Sequence, residues 1–340
     1  MLQLMRHFRF SGILAALCFL AAYLYAGPAG LFVAVVLAVL EVSLSFDNAV
    51  VNAGILQHWN HYWRTLFLTV GIFIAVFGMR LLFPLVIVSQ TSDMSILEAW
   101  NMAINSPKEY SAALLSHHAE VLAYGGSFLF LVFFNFLFDP EKDLHWHSWL
   151  EEKMAKLGRV DSMSILATLA ILVGVTSFVP EHEKLAVMMA GTYGILTYLA
   201  VEFIGHLLEE ETESDVNVAK VVSTGSIGGF LYLEVLDASF SFDGVIGAFA
   251  ITTDIVIIML GLCVGAFFVR SMTTYLVDKG TLQAYKFLEH GAHYAIGALA
   301  TIMLMSITHE VSEIVTGLIG VGFIVWAVAS SIRSDKKEAA

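Results

Sequence analysis

Glu41-Val42-Ser43-Leu44-Ser45-Phe46-Asp47-Asn48 and Asp237-Ala238-Ser239-Phe240-Ser241-Phe242-Asp243-Gly244 are two versions of one stretch. In each, a carboxylate is followed two and four residues later by serine, and then by Phe-Asp. The likeness runs outward, with Val39-Leu40 matching Val235-Leu236 and Ile55 matching Ile251. Each copy sits in an apolar run long enough to cross a bilayer, for which about twenty residues suffice. An ionised carboxylate at that depth is disfavoured by roughly 2.5–3.5 kcal/mol on insertion scales, so carboxylates kept there mark an ion or proton path. This reading predicts two stretches that face each other and hold a cation.

The composition agrees with a lipid environment. Of 340 residues, 58% are hydrophobic and 14% charged, against about 25% charged in soluble domains, and the mean hydropathy is +0.78. A net charge of −13 without a basic patch excludes a nucleic-acid-binding role. Cys18 and Cys263 both lie in apolar runs, which suggests neither a disulfide framework nor a thiolate metal site.

Ten spans are expected, over 8–27, 28–57, 65–88, 117–138, 162–180, 185–208, 225–252, 254–278, 289–308 and 311–332. The first follows Arg6 and Arg9 and ends in a weak processing site, so it also reads as a cleaved signal peptide. Residues 89–116 form a polar connection with an amphipathic piece near Trp100 and a stop at Pro107. The charged segment 139–161, with Trp146, Trp149 and Leu150 interleaved, predicts a short helix on the membrane surface with His145 and His147 solvated. The acidic run 209–215 is a solvated loop or a cation-attracting mouth.

Charge placement tests this layout. The ten spans put thirteen Lys and Arg on the side of the N-terminus and two, Lys108 and Lys184, on the other; Arg80 and Arg270, inside spans, complete the 17. The richer side is the cytoplasm by the positive-inside rule, which predicts cytoplasmic N- and C-termini.

The motif copies fall in spans two and seven, which therefore run in opposite directions. Gly71 and Arg80 are nine residues apart, as are Gly261 and Arg270, and His118 to Gly125 repeats as His290 to Gly297. The expected fold is thus an all-α polytopic membrane protein of two inverted five-helix repeats, 1–180 with its surface segment 139–161, and 181–340. Inverted repeats with polar residues at the midplane are the architecture of secondary transporters.

On an intact helix Glu41, Ser45 and Asn48 form one stripe, with Asp47 about a third of a turn away. Glu234, Asp237 and Ser241 form the matching stripe, with Asp243 to the side. Gly244 and Gly247 predict local unwinding in the second copy, which would free carbonyl ligands. Carboxylate, amide and hydroxyl oxygens suit magnesium, calcium or manganese, and His118 and His290 tilt the choice to manganese if they reach the site. They are otherwise hydrogen-bonded packing residues. Interhelical polar contact is the bland alternative for the carboxylates. Arg80 and Arg270 either snorkel from span ends or pair with carboxylates when no metal is bound.

Glu41 to Asn48, with its Ser-x-Asp-Asn ending, resembles the first signature of TerC-type integral membrane proteins, and Asp237 to Asp243 resembles the second. The block Phe230–Thr252, then Phe268-Val269-Arg270-Ser271 and Leu288-Glu289-His290-Gly291-Ala292-His293, is similar to an uncharacterised bacterial branch of that group. The resemblance spans nearly the whole chain. It implies the LysE-like transporter superfamily, a bacterial inner-membrane location and manganese efflux, with a link to tellurite resistance. It maps the family's acidic positions onto Glu41, Asp47, Asp237 and Asp243 and its amide onto Asn48. The chain departs in having Gly244 where relatives often have serine, and in adding Glu234.

The leading expectation is a proton-coupled exporter of divalent cations as substrate, Mn²⁺ ahead of Mg²⁺ or Ca²⁺, and not an enzyme. Exchange of Na⁺, H⁺ or Ca²⁺ at the same site is the second transporter reading. An intramembrane aspartyl protease using Asp47 and Asp243, and a non-transporting stress-response scaffold, are readings from other classes.

Overall fold

A computed structural model describes residues 2–142, 144–158, 162–208, 225–279, 284–309 and 311–338. Among them there are helices and connecting turns, and no strand. α1 (Leu2–Leu44) breaks at Ala26 and Gly27, where Gly27 takes φ 68° ahead of Pro28. A side chain at φ > 0 is strained, and proline cannot continue the preceding helix but starts the next one well. The two arms lie against the same helix, α11 (Ile255–Asp278). In the first arm, Ser11 Oγ donates to Phe267 O at 2.8 Å. In the second, Leu37 packs over Gly261 and Glu41 over Gly265. The first arm therefore runs antiparallel to α11 and the second parallel to it. Cys18 on the first arm and Cys263 on α11 are hydrogen-bonded free thiols.

The chain continues through α2 (Phe46–Leu56) into a long helix α3 over 61–91. α3 widens to π-helical turns at Phe67–Gly71 and Ile74–Leu82. Pro84, just beyond, has no N–H for the Arg80 carbonyl, which accounts for a wide turn there. α4 (Ile96–Asn105) starts in a Ser95/Glu98 capping box, and α5 (Pro107–Leu115) carries fully buried Tyr110. The polar connection near Trp100 is thus helical on both sides of Pro107. There follow α6 (His118–Phe138), α7 (Ser148–Leu157), α8 (Met163–Thr176), α9 (Lys184–Leu208), α10 (Ile227–Ile251), α11, α12 (Leu288–Ser306) and α13 (Glu313–Glu338).

Among the described residues, six helices are long and apolar enough to cross a membrane: His7–Leu44, His61–Gln90, His118–Phe138, Lys184–Gly205, Ile255–Asp278 and Val315–Lys336. The difference from ten spans has local causes. The first two spans form the single run of α1. The fifth is the 14-residue Met163–Thr176. α10 has the length but carries Glu234, Asp237 and Asp243, and α12 is only 19 residues with Glu289 in its first turn. Large apolar side chains such as Leu24, Phe32, Phe178 and Leu185 are more than two-thirds exposed. That outward apolar surface belongs in lipid, and the chain is a multi-pass membrane protein.

Among the described residues the apolar core has two main blocks, with two smaller clusters beside them. One contains Val50, Leu68, Phe128, Leu236, Phe240, Val277 and Ile296; the other contains Leu37, Val88, Tyr110, Val245, Ile258 and Leu262. Four elements pass from one block to the other, and each carries buried polar side chains between them. The second arm of α1 with α2 does so between Leu37 and Val50, α3 between Leu68 and Val88, α10 between Phe240 and Val245, and α11 between Leu262 and Val277. A polar layer lies in the middle of the bundle.

Within the charged segment a short helix forms over Ser148–Leu157 (α7), with Trp149 exposed and Lys153 Nζ 4.3 Å above its ring. His145 is half-buried, and His147 packs against Trp146, Tyr294 and Trp326 instead of standing in solvent. The acidic run 209–215 lies outside the described residues.

Candidate functional site

The polar layer encloses a cavity of about 30 Å³ of water-accessible space, bordered by Ser45, Asn48, Asn52, Arg80, Asp237 and Arg270 among others. A buried water needs roughly 10–15 Å³ by the same measure, so a small ion with a ligand water fits. Glu41 is the anchor. Its Oε1 accepts from Ser45 Oγ at 3.2 Å and from Arg80 Nη2. Burial of this pair is nearly complete, with 1% and 4% of the side chains exposed, so it lies in a low-dielectric setting where neither charge could stand alone.

Glycine makes room for Glu41. A Cβ on Gly265 would lie 2.4 Å from Glu41 Cβ and Cγ, and one on Gly244 would lie 2.8 Å from Glu41 Oε2. α10 is continuous through Gly244, contrary to the unwinding expected there, so the glycine provides close approach and not a break. The break falls in the first copy. Ser45 leaves the helical region (φ −100°, ψ 16°) between α1 and α2, although Ser45 N and Ala49 N keep their helical hydrogen bonds.

Asn48 Nδ2 donates to Asp237 Oδ1 at 2.6 Å. With Glu41 against Gly244 and Asn48 against Asp237, the motif copies cross in antiparallel directions and face each other. Arg80 lies within electrostatic reach of both Glu41 and Asp237. Its Nη1 donates to Ala75 O at 2.8 Å across a π-helical turn. Arg270 donates through Nε to Leu68 O on α3. Glu234 sits one turn before Asp237, its carboxylate in the notch left by Gly71. Among the described residues Asn48 Oδ1, Asn52 Oδ1, Arg80 Nε, Glu234 Oε1 and Ser241 Oγ are buried without a hydrogen-bond partner. Such orphans are rare in a finished core and common where a ligand or water completes the set.

Not every expected residue converges. Asp47 is buried, but its carboxylate turns to α13, where Oδ2 lies 2.9 Å from the Cβ position of Gly320 while Oδ1 accepts from Asn48 N at 2.9 Å. That is the third-of-a-turn offset of its helical position. The backbone of Asp243 lies in α10 and its side chain lies outside the described residues. His118 opens α6 and does not border the cavity. His290 is also elsewhere: Nε2 lies 2.8 Å from Leu144 O and 3.4 Å from Glu151, which places it on the surface segment and removes it as a manganese ligand here. Among the described residues no three His, Cys, Asp or Glu converge closely enough to hold a metal ion without further ligands.

The sequence reading missed Asn52, which extends the stripe of Glu41, Ser45 and Asn48 by one more turn. It also missed Glu151. Its side chain is fully buried, 3.2 Å from Lys142 Nζ, and accepts from Tyr294 OH at 3.1 Å.

A family model described as "Protein of unknown function (DUF475)" matches residues 46–338. The chain belongs to the DUF475 family. Comparison with curated proteins and with solved structures gives no match. The match to DUF475 takes in α2 to α13, and so every cavity-lining residue except Ser45.

Proposed function

We propose that this chain is a secondary transporter that exports divalent cations, Mn²⁺ first, through the acidic cavity at the middle of the bundle. The observation that carries the reading is the facing of the motif copies. Glu41 and Asp237 head them, and Asn48 and Gly244 end them. Exchanging the copies turns the contact Asn48–Asp237 into Gly244–Glu41, which is also present. The same exchange relates Gly125 and Gly297: a Cβ on the first would lie 2.7 Å from Met303 on α12, and on the second 2.8 Å from Phe133 on α6. Contacts that come in exchanged pairs support two inverted five-span repeats, with the α1 arms as separate spans. They also support a TerC-like placement within the LysE-like superfamily.

Two carboxylates, two amide oxygens and a serine hydroxyl form a hard-oxygen donor set, which favours Mn²⁺, Mg²⁺ or Ca²⁺. Alternating access follows from one repeat rocking against the other about a fixed midplane site. Carboxylates that release a dication into low dielectric need neutralising, which supports proton exchange. The excess of Lys and Arg on one side supports an inner-membrane protein with both termini in the cytoplasm. Direction and manganese preference rest on the TerC resemblance.

The test is cellular manganese in bacteria overproducing the chain or its Glu41→Gln/Asp237→Asn variant. Cells with the unaltered chain should hold less manganese and survive higher concentrations, and the variant should match an empty vector. Equal manganese in all three ends the reading, and a proteoliposome flux assay with Ca²⁺ and Na⁺ as competitors separates the exchange alternatives.

A further inference from the structure

We propose that Arg80 is a tethered counter-ion that occupies the cation seat of this cavity, and that a divalent cation binds by displacing it. The inference rests on reading the cavity as a transport site. Arg80 is held in the layer between the two apolar blocks, 5% exposed, where an isolated positive charge is strongly disfavoured. It contacts Glu41 and borders the same cavity as Asp237, the heads of the two motif copies. A dication bound by both copies would stand in the same place.

The guanidinium fits the seat incompletely. Its Nε has no partner among the described residues, and Asn48 Oδ1 and Asn52 Oδ1 at the cavity wall are likewise unpartnered. Arginine offers only donors, so it satisfies carboxylates and leaves amide oxygens to compete for the remaining N–H groups. A metal ion accepts from carboxylate and amide oxygens together. The side chain also has somewhere to go. Nη1 is already bonded to Ala75 O on its own helix, within the π-helical turns of 74–82, so the arginine can swing back onto α3 without losing that bond. Arg270, with the matching spacing from Gly261, also takes a carbonyl as partner beside the same cavity, but donates across from α11 to Leu68 O on α3.

Purified full-length protein in detergent, titrated with Mn²⁺ and followed by the loss of the free-ion paramagnetic resonance signal, tests this. Removing the competitor in Arg80→Gln should tighten Mn²⁺ binding at least tenfold. Arg80→Gln/Glu41→Gln, which removes one carboxylate as well, should abolish the gain. If Arg80→Gln does not fold, Arg80→Lys serves, because a compact hydrated ammonium pairs less well with the two carboxylates and should give a smaller tightening. Unchanged or weaker Mn²⁺ binding in the folded arginine variant overturns the proposal. If the unaltered protein nevertheless moves Mn²⁺, only the role of Arg80 is lost. If neither the unaltered nor the variant protein binds Mn²⁺, the transport reading is lost with it.

Discussion

Asn48 ends the first motif copy and Asp237 heads the second, 189 residues apart in sequence, and their side chains bond at 2.6 Å. The amide is oriented by this bond, nitrogen to the carboxylate and oxygen to the cavity. Together with Glu41 beside Gly244, this contact joins the end of each copy to the head of the other, as an antiparallel crossing of the two helices requires. The contact therefore reports on the topology as well as on the site.

Asn48→Asp should be poorly tolerated, because it sets a second carboxylate against Asp237. It exchanges a hydrogen bond to a charged group, typically about 1.5–3 kcal/mol, for repulsion. Adding Asp237→Asn restores one donor and one carboxylate in reversed order. The double variant should recover most of the melting temperature in detergent that Asn48→Asp loses. A double variant as unstable as the single one would remove this contact as a stabilising link.

Gly265 and Gly244 both border Glu41, but they meet different parts of it. A methyl on Gly265 would collide with Cβ and Cγ, the stem fixed by the helix, and would come within 3.2 Å of Ala38 O. A methyl on Gly244 meets Oε2, the end that can swing. Gly265→Ala should therefore cost about 1–3 kcal/mol, the usual range for overpacking, and lower the yield of folded protein. Gly244→Ala should fold nearly as well but turn the Glu41 carboxylate and weaken cation binding. The comparison is made by size-exclusion profile and Mn²⁺ titration, and equal yields of the two variants would contradict it.

The duplication made much of this legible. Two acidic motifs in apolar runs were enough to predict that the stretches face one another, and from the stripe of Glu41, Ser45 and Asn48 the last two border the cavity while Glu41 bonds to Ser45 and Arg80. Asp47 was misplaced because the break at Ser45 is too slight to bring a side chain a third of a turn round, so it stays against α13. Gly244 read as a weak point, whereas its lack of a side chain serves a neighbour that no local pattern names. His290 looked like a ligand through its repeat partner His118, but its surroundings come from the surface segment, which has no counterpart in the second half. Asn52 was within reach, since it lies on the same stripe. Glu151 was not, because a glutamate in a charged amphipathic helix reads as solvated until Tyr294 and His290 are placed beside it.

Glu151 carries the pH dependence outside the spans. Burial alone would raise its pKa, but the hydrogen bond from His290, the charge of Lys142 and the His147 amide outweigh burial and hold it at about 2, below the ordinary 4.5. A carboxyl depressed in the folded state contributes stability that is complete above the unfolded pKa and lost as pH falls through the folded one. A difference of this size corresponds to about 3 kcal/mol at neutral pH, disappearing between about pH 4.5 and pH 2. Because Glu151 accepts from the backbone of Trp146 and His147 and from Tyr294 on α12, its protonation should release the segment 144–157 from α12. The protection factor of that segment, its amide exchange relative to the intrinsic rate at the same pH, should fall on acidification towards pH 3 in the unaltered protein. In Glu151→Gln it should be low already at pH 7 and change little with pH. Parallel acid responses in the two proteins would show that Glu151 does not hold the segment down.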